Sequence, residues 1–525
     1  MHEDVLIAGY SDRLSVRPGE TIRFAVSSLA NTNYQATLFR SISSDPNPEG
    51  PGIVELNADE FFKPLELPSR RQSIKPGSYG ETTEPVSIAF KSIIKLAVSV
   101  FATLLTDHSQ TIISWGPLSI TLDDKGFVAC YCGDSEIIRS KKPINSARWH
   151  SISIEISKDQ NTVLSIRENL TGKEDQTNAK STNCGINLNK IESAKIRVAT
   201  DQNKIDFFNG KIEAPEIKVD ENTILKYDFS QAIPFFEVPA EVGPHLRLHN
   251  SPTRAVKGMH WDASEFCWRH KPEHYAAIHF HEDDIYEFNW EYDFELVVPA
   301  TMPSGAYVMR LTVDKGYDAI PFFVCAPEQK PSAKICVLIS TFTYAIYGNH
   351  ARPDFEESWL KRIEDWKAYP HNPAKFQHYG LSTYNNHSDG SGICFASHKR
   401  VLFNMRPGYQ TFGYSECSGL RHYPADSHLL AWLEHKSIPY DVITDNELDT
   451  EGHGAISAYA TVLTGSHPEY HTPQSLTALK TYQNNGGNLA YLGGNGFYWK
   501  IARNSENSDL LEIRRSEDGI RAWAA

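Results

Sequence analysis

Residues 464–472, TGSHPEYHT, set His467, Glu469 and His471 around a proline, directly after the apolar run AYATVL and directly before a helix pattern. A carboxylate two residues from an imidazole at the end of a buried strand can serve proton transfer or bind a metal. Three more stretches carry side chains of the same kind. TFTYAIYGNH offers Tyr344, Tyr347, Asn349 and His350; TYNNHSDGSG offers Tyr384, His387 and Asp389; LGGNGFYW offers Asn495 between glycines. Some chemistries are disfavoured. A nucleophile elbow needs GxSxG or a cysteine at the turn, and Ser466 has no glycine two residues on. No HExxH pair, P-loop or dinucleotide fingerprint occurs. For any one residue, a polar rim is the plain alternative; four such loops meeting at one sheet edge argue for a site.

The elements that must position these loops read as follows. KICVLISTFT is a continuous apolar run, as expected of a strand buried on both faces of a parallel sheet. DSHLLAWLEHKS predicts a helix capped by Asp426 or Ser427, with Leu429, Leu430 and Leu433 on one face. PYDVIT and AYATVLTG predict strands. TPQSLTALKTYQNNGG predicts a helix with Thr472 as N-cap, Pro473 in the first turn and Gly486 or Gly487 as the stop. NLAYLGGNG is the next strand and its exit loop. Such alternation predicts an open α/β domain over residues 333–525, with ligands beyond the carboxyl ends of its strands. The loop with Tyr384 is the weakest placement, because no clear strand precedes it. His471, next to the helix cap, is expected to be structural.

The remainder is strand-rich. LSVRPGETIRFAVSS alternates after a Pro-Gly turn, with Ile22, Phe24 and Val26 on one side, and YQATLFR repeats the pattern. Matching strands come far downstream, in YDFELVVPATMPSGAYVMRLTV and residues 320–324. The expectation is an immunoglobulin-like β-sandwich in two parts, residues 1–68 and 236–328. Between them, residues 69–235 hold GPLSITLDDKGFVACYC, ARWHSISIEISKDQNTVLSIREN and DFFNGKIEAPEIKV. These resemble a concanavalin or laminin-G type jelly roll. Modules of that kind bind sugars or serve packing and assembly, and fold does not choose between these.

The chain has 525 residues, too many for one core. Its formal net charge of −14 and lack of Lys/Arg runs disfavour a nucleic-acid partner. No signal peptide or membrane span is expected. The eight cysteines are scattered without a CxxC pair, which predicts reduced thiols in the cytoplasm.

TFTYAIYGNHAR, TYNNHSDGSGICFASHKRVLFNMRPGY, LTGSHPEYHT and LAYLGGNGFYW, in this order, resemble the large (beta) subunit of N,N-dimethylformamidase, best over residues 334–503. The resemblance implies a glutamine-amidotransferase-like α/β fold, although not that chemistry, and a mononuclear ferric iron held by Tyr347, Tyr384 and Glu469, with Tyr344 as a competitor for the first place. It also implies His467 and Asn495 beside the metal: His467 as proton relay, Asn495 as hydrogen-bond donor to substrate. Two phenolates and a carboxylate are hard anionic donors that balance the charge of ferric iron. The implied reaction is hydrolysis of N,N-dimethylformamide, or a similar small N-alkylamide, to amine and formate. A tertiary amide has no N–H to donate, so its pocket should be small and apolar; Phe497, Tyr498 and Trp499 are candidates for the lining. The resemblance further implies a small (alpha) subunit and a hetero-oligomer. The family's large subunit continues past the point where DGIRAWAA ends, so a C-terminally shortened homologue, a fragment, or a chain whose site another chain completes is expected. The rival expectation is a non-catalytic carbohydrate-binding or assembly protein that uses the jelly roll.

Overall fold

The computed structural model describes residues 4–89, 93–158, 161–170, 173–181, 190–414, 416–515 and 523–524. Among these, strands dominate and α-helices are few. None of these helices is long and apolar enough to cross a membrane.

Two sheets, antiparallel except for one edge pairing, form the outer sandwich. One pairs Ile7–Ser11, Thr21–Ser28 and Tyr292–Val297; the other runs Gly316–Val324, Gly305–Val313, Tyr34–Ser44 and Ile53–Asn57, with Ser15–Val16 at the edge beside Gly316–Val324. Alternation does what it should here. Ile22, Phe24 and Val26 face inward against Leu38, Met309 and Phe322, with Phe24 stacked on Phe294 at 5.1 Å. Each such side chain contributes roughly 1.5–3 kcal/mol by leaving water. The chain thus leaves this sandwich after its opening strands and returns for the closing hairpin.

Between these halves lie two large sheets packed on a common core. Ile93–Ala102 and Trp149–Ser157 are central partners in antiparallel register, Ile152 opposite Val98. Their inward residues meet Trp115, Ile120 and Val198 of the facing sheet. This unit extends further than the sequence suggests. Glu237–Val238 and Leu246–His249 join one of its sheets, and Ala240–Val242, Thr253–Val256 and Ala277–Phe280 join the other. The boundary expected at residues 235–236 therefore falls inside it, and the outer sandwich resumes at Tyr292. Strands of two to four residues are too short for a period of two to declare itself.

The third region is built on a four-stranded parallel sheet in the order Tyr440–Thr444, Ile335–Ile339, Thr461–Thr464, Asn488–Ala490. Both faces of its first strand are covered. Val337 and Ile339 pack with Leu430 and Leu433 of the helix His422–His435. Cys336 and Leu338 pack with Ala478 and Leu479 of the helix Pro473–Asn484. That double cover is why KICVLI reads as an unbroken apolar run. Thr472 caps the latter helix, accepting from the Ser475 amide at 3.1 Å, with Pro473 in the first turn.

The helix His422–His435 starts earlier than expected. Its N-cap is Arg421, and Asp426 and Ser427 lie inside it, both buried. Asp426 instead accepts from the Tyr344 hydroxyl and from the Ser466 amide at 2.5 Å. Its carboxylate thereby pins the start of the SHPEY loop. Pro424 is tolerated because it falls in the first turn.

Arg406, from the NMRP stretch, makes a buried, two-pronged ion pair with Asp318 of the closing hairpin, at 2.9 and 2.8 Å. It joins the third region to the outer sandwich. Cys267, Cys325, Cys336 and Cys417 form no disulfide.

Candidate active site

In the strand order above, Ile335–Ile339 and Thr461–Thr464 are neighbours whose following segments lead to opposite sides of the sheet. Such a switch point leaves a crevice at the carboxyl edge. Tyr347 closes the short helix Thr341–Ile346 after the first of these strands. Glu469 follows the second. The Tyr347 hydroxyl donates to Glu469 Oε2 at 2.8 Å, and both residues are buried. Thr343 fixes the loop, its hydroxyl oxygen accepting from the Glu469 and Tyr470 amides at 3.2 and 3.3 Å.

Tyr384 comes to the same place by another route. No strand of the parallel sheet precedes it. Its loop is tied by Thr383, whose amide and hydroxyl both donate to the Ile346 carbonyl. The rings of Tyr384 and Tyr347 stack at 4.1 Å, within 13° of parallel. The Tyr384 hydroxyl meets that of Tyr470. Arg515 donates to the Tyr470 oxygen at 2.7 Å, so the Tyr470 proton is free to point at Tyr384.

His467 Nε2 lies 3.2 Å from Glu469 Oε2. Asn495 Nδ2 reaches Glu469 Oε1 at 3.5 Å from the exposed edge of the site. Gly493 makes that approach possible. A Cβ there would sit 2.6 Å from Pro468 Cδ and 2.9 Å from the Ser466 carbonyl oxygen. Five of the expected site residues, Tyr347, Tyr384, Glu469, His467 and Asn495, are therefore together.

Others are elsewhere. Tyr344 is fully buried in the helix–sheet core and bonded to Asp426. Asn349, with φ +60°, clamps Phe403 and Val401 from beneath. The Phe497 ring packs on His471 and Tyr491, at 5.0 and 5.7 Å. Tyr498 is 70% exposed and lines nothing, whereas Trp499 packs against the core that includes Tyr470. His471 is buried and engages Ser475 and the Pro468 carbonyl. His387 and Asp389 belong to a separate cluster with His279 and His281.

The structure adds residues that no motif flagged. Arg421 lies over the Tyr347 ring at 4.2 Å and Arg515 over Tyr384 at 4.3 Å, so the stacked pair is flanked by two guanidinium groups. Arg421 also reaches His467 Nδ1 at 3.3 Å. His422 is buried 4.8 Å from the Tyr347 ring, and neither of its ring nitrogens has a hydrogen-bond partner among the described residues. The adjacency Arg421-His422 was the available signal; the apolar pattern that begins later in the helix drew attention past it.

Electrostatics follow from burial. Burial, and next Tyr384, pushes the Tyr347 phenol up, well beyond the usual range. Ionising it there requires a nearby cation. Burial, and then Arg421, brings His467 down to about 4, so it is a neutral acceptor near pH 7. The centre thus offers two phenol oxygens and a carboxylate as metal donors, a neutral imidazole against that carboxylate, and an amide at the open edge.

Residues 253–525 match the family model described as "N,N-dimethylformamidase beta subunit-like, C-terminal". Two proteins named N,N-dimethylformamidase beta subunit are similar over nearly the whole chain. The one from Paracoccus aminophilus is 30% identical, covering 99% of this chain and 75% of its own length. The one from an Alcaligenes species is 30% identical, covering 100% and 76%. Among solved structures, the LG1-3 region of the laminin alpha2 chain aligns at 11% identity and a TM-score of 0.23, over 45% of this chain and 54% of that one.

Proposed function

Because the chain belongs to the N,N-dimethylformamidase beta subunit family, we propose that it is a hydrolase of amide C–N bonds. Its substrate in this reading is N,N-dimethylformamide or a similar small N-alkylamide, cleaved by water to amine and formate. The observation that carries the reading is the meeting of Tyr347, Tyr384 and Glu469, from three separate segments, with His467 and Asn495 beside them.

The donor set fits ferric iron. Three hard oxygen donors supply the anionic charge, and a phenol buried as Tyr347 is ionises only beside a cation. Tyr347, Tyr384 and Glu469 would hold it, and a ferric ion there supplies Lewis acidity toward the amide carbonyl. His467, neutral and 3.2 Å from Glu469, takes a proton from the attacking water and returns it to the departing nitrogen. Oxygen bonds to the carbonyl carbon, the C–N bond breaks, and the proton leaves on the amine. Asn495 Nδ2, at the open edge, donates to the carbonyl oxygen as charge develops on it. The outer arginines hold the tyrosines, Arg421 over Tyr347 and Arg515 through Tyr470 to Tyr384.

We read the outer sandwich as immunoglobulin-like and the parallel-sheet region as glutamine-amidotransferase-like. The relatives' names denote one subunit of a larger enzyme, so this chain is taken to assemble with a small alpha subunit in a cytoplasmic hetero-oligomer. The test is iron analysis combined with an amine-release assay on a panel of formamides and acetamides, with and without the candidate small subunit. Folded protein that takes up no iron and releases no amine in either setting overturns the reading.

A further inference from the structure

A second group of chemically active side chains lies outside the centre above. His279, His281 and His387 form a column of three imidazoles, with centroids 4.0 and 3.8 Å apart. The carboxylates of Asp389, Asp284 and Asp283 line its edges. The three histidines, Asp284 and the Asp389 side chain are all buried. We propose that His279 Nε2, His281 Nε2 and Asp389 Oδ2 form a structural binding site for a divalent first-row cation, zinc matching the donors best.

The geometry chooses between two triads. His281 and His387 are stacked within 6° of parallel. A ligand lone pair lies in the plane of its ring, so two parallel rings cannot both aim at one ion. His279 and His281 are tilted by 44°, and their planes do intersect. Asp389 Oδ2 lies 3.0 Å from His279 Nε2 and 3.6 Å from His281 Nε2. Donors about 2.0–2.1 Å from a tetrahedral zinc stand about 3.3 Å from one another, between those two values.

The surroundings are those of a ligand set. His281 turns its other nitrogen, Nδ1, to Asp284 at 3.2 Å, and Asp284 is itself held by the hydroxyls of Ser78 and Tyr286. A carboxylate on the far nitrogen fixes the tautomer that bares Nε2 for a metal. The other oxygen of Asp389 accepts from Ser391, whose hydroxyl also lies 2.9 Å from His281 Nε2. His387 Nε2 is buried without a hydrogen-bond partner among the described residues and faces Asp284 at 3.7 Å. The competing occupant is a pair of protons, one on each of the two Nε2 atoms.

The site spans two regions. His279 lies in Ala277–Phe280, within the large double-sheet unit, and Asp389 lies five residues after Tyr384. A cation there fastens the Tyr384 loop to that unit. Nothing in this rests on the iron reading.

The test uses the full chain, produced in cobalt- or zinc-supplemented medium, because a closed site fills during folding. Glu469→Ala removes the candidate iron site, with Glu469→Gln as the substitute if that variant does not fold. Folding is checked by circular dichroism. The expected result is about one equivalent of cation per chain, with tetrahedral cobalt bands in the visible. Adding Asp389→Asn or His281→Gln to the folded background should abolish it. A folded Glu469 variant with no bound cobalt or zinc, or one whose metal survives both additional substitutions, overturns the proposal; the first outcome leaves the cluster as a proton-bridged clasp.

Discussion

The Tyr347 hydroxyl donates to Glu469 across 122 positions of sequence, at 2.8 Å, and both residues are buried. The two residues hang from neighbouring parallel strands, so their distance is set by the sheet and not by either loop alone. Chemistry placed there inherits the rigidity of the strands.

Tyr384→Phe removes one phenol oxygen and keeps the ring stacked on Tyr347. Iron-loaded wild type is expected to show a tyrosinate-to-iron band in the visible. The variant should lose most of that absorbance, with iron content falling at least tenfold after dialysis against a chelator. Unchanged colour in folded Tyr384→Phe would count against Tyr384 as a donor.

His467→Gln should cut turnover by about 10²–10⁴-fold, the usual worth of a positioned acid–base group. Iron content should stay near wild type, because the imidazole contacts Glu469 and is not one of the three oxygen donors. Arg421→Leu removes the guanidinium above Tyr347 and beside His467. It should move the acid limb of the pH–rate profile to higher pH, since Arg421 is one of the two causes depressing His467. A profile that stays in place assigns Arg421 to packing alone.

Gly493→Ala forces a methyl group against Pro468 and the Ser466 carbonyl. The Asn495 loop must then move away from Glu469. KM for the amide should rise severalfold and kcat fall about tenfold or more, because small misplacements at a reacting centre are costly. Thermal unfolding should change by only a few degrees, as the loop is largely exposed.

Glu213 gives a pH-dependent stability. It is buried, and burial lifts its carboxyl to about 7, although the Met259 amide donates to it. The folded chain therefore binds a proton that the unfolded chain has released. Its contribution is least costly below the unfolded value of about 4.5, and the penalty grows as pH rises through about 7. Glu213→Gln should gain about 1–3 kcal/mol relative to wild type between pH 5 and pH 8. Denaturant midpoints of the two proteins at both pH values check this, and a difference that does not change with pH refutes it.

Asp318→Ala leaves Arg406 buried without its carboxylate. A loss of about 3–5 kcal/mol is expected, seen as a lowered denaturant midpoint. Exchanging both residues for apolar ones should recover much of it.

Much of this was legible in the chain. KICVLI, AYATVL and TPQSLTALK announced the parallel sheet and its capped helix because burial on both faces and a Thr-Pro cap leave strong local patterns. Glu469, His467 and Asn495 followed, since each sits just beyond a readable strand. Tyr384 was the weakest placement, because no strand leads into it and tertiary ties at Thr383 place its loop. Arg421, His422 and Arg515 were missed for a related reason. Their roles depend on which rings lie across from them, and no spacing records that. Asp426 looked like a cap and became a buried anchor, which propensity cannot distinguish before the partner strand is in place.

The split sandwich has a consequence for biosynthesis. Its opening strands are complete by Leu67, yet Tyr292–Val297 and the hairpin Gly305–Val324 must emerge before they can close on a core. At about 5–20 residues per second, a ribosome takes roughly 10–50 s to cover that interval. Through that time Thr21–Ser28 and Tyr34–Ser44 present hydrophobic edges with no mate, while the intervening sheets fold first. The expected outcome is a nascent amino-terminal segment that chaperones hold, and, because the pairing strands are so far apart in sequence, slow refolding of the denatured full chain.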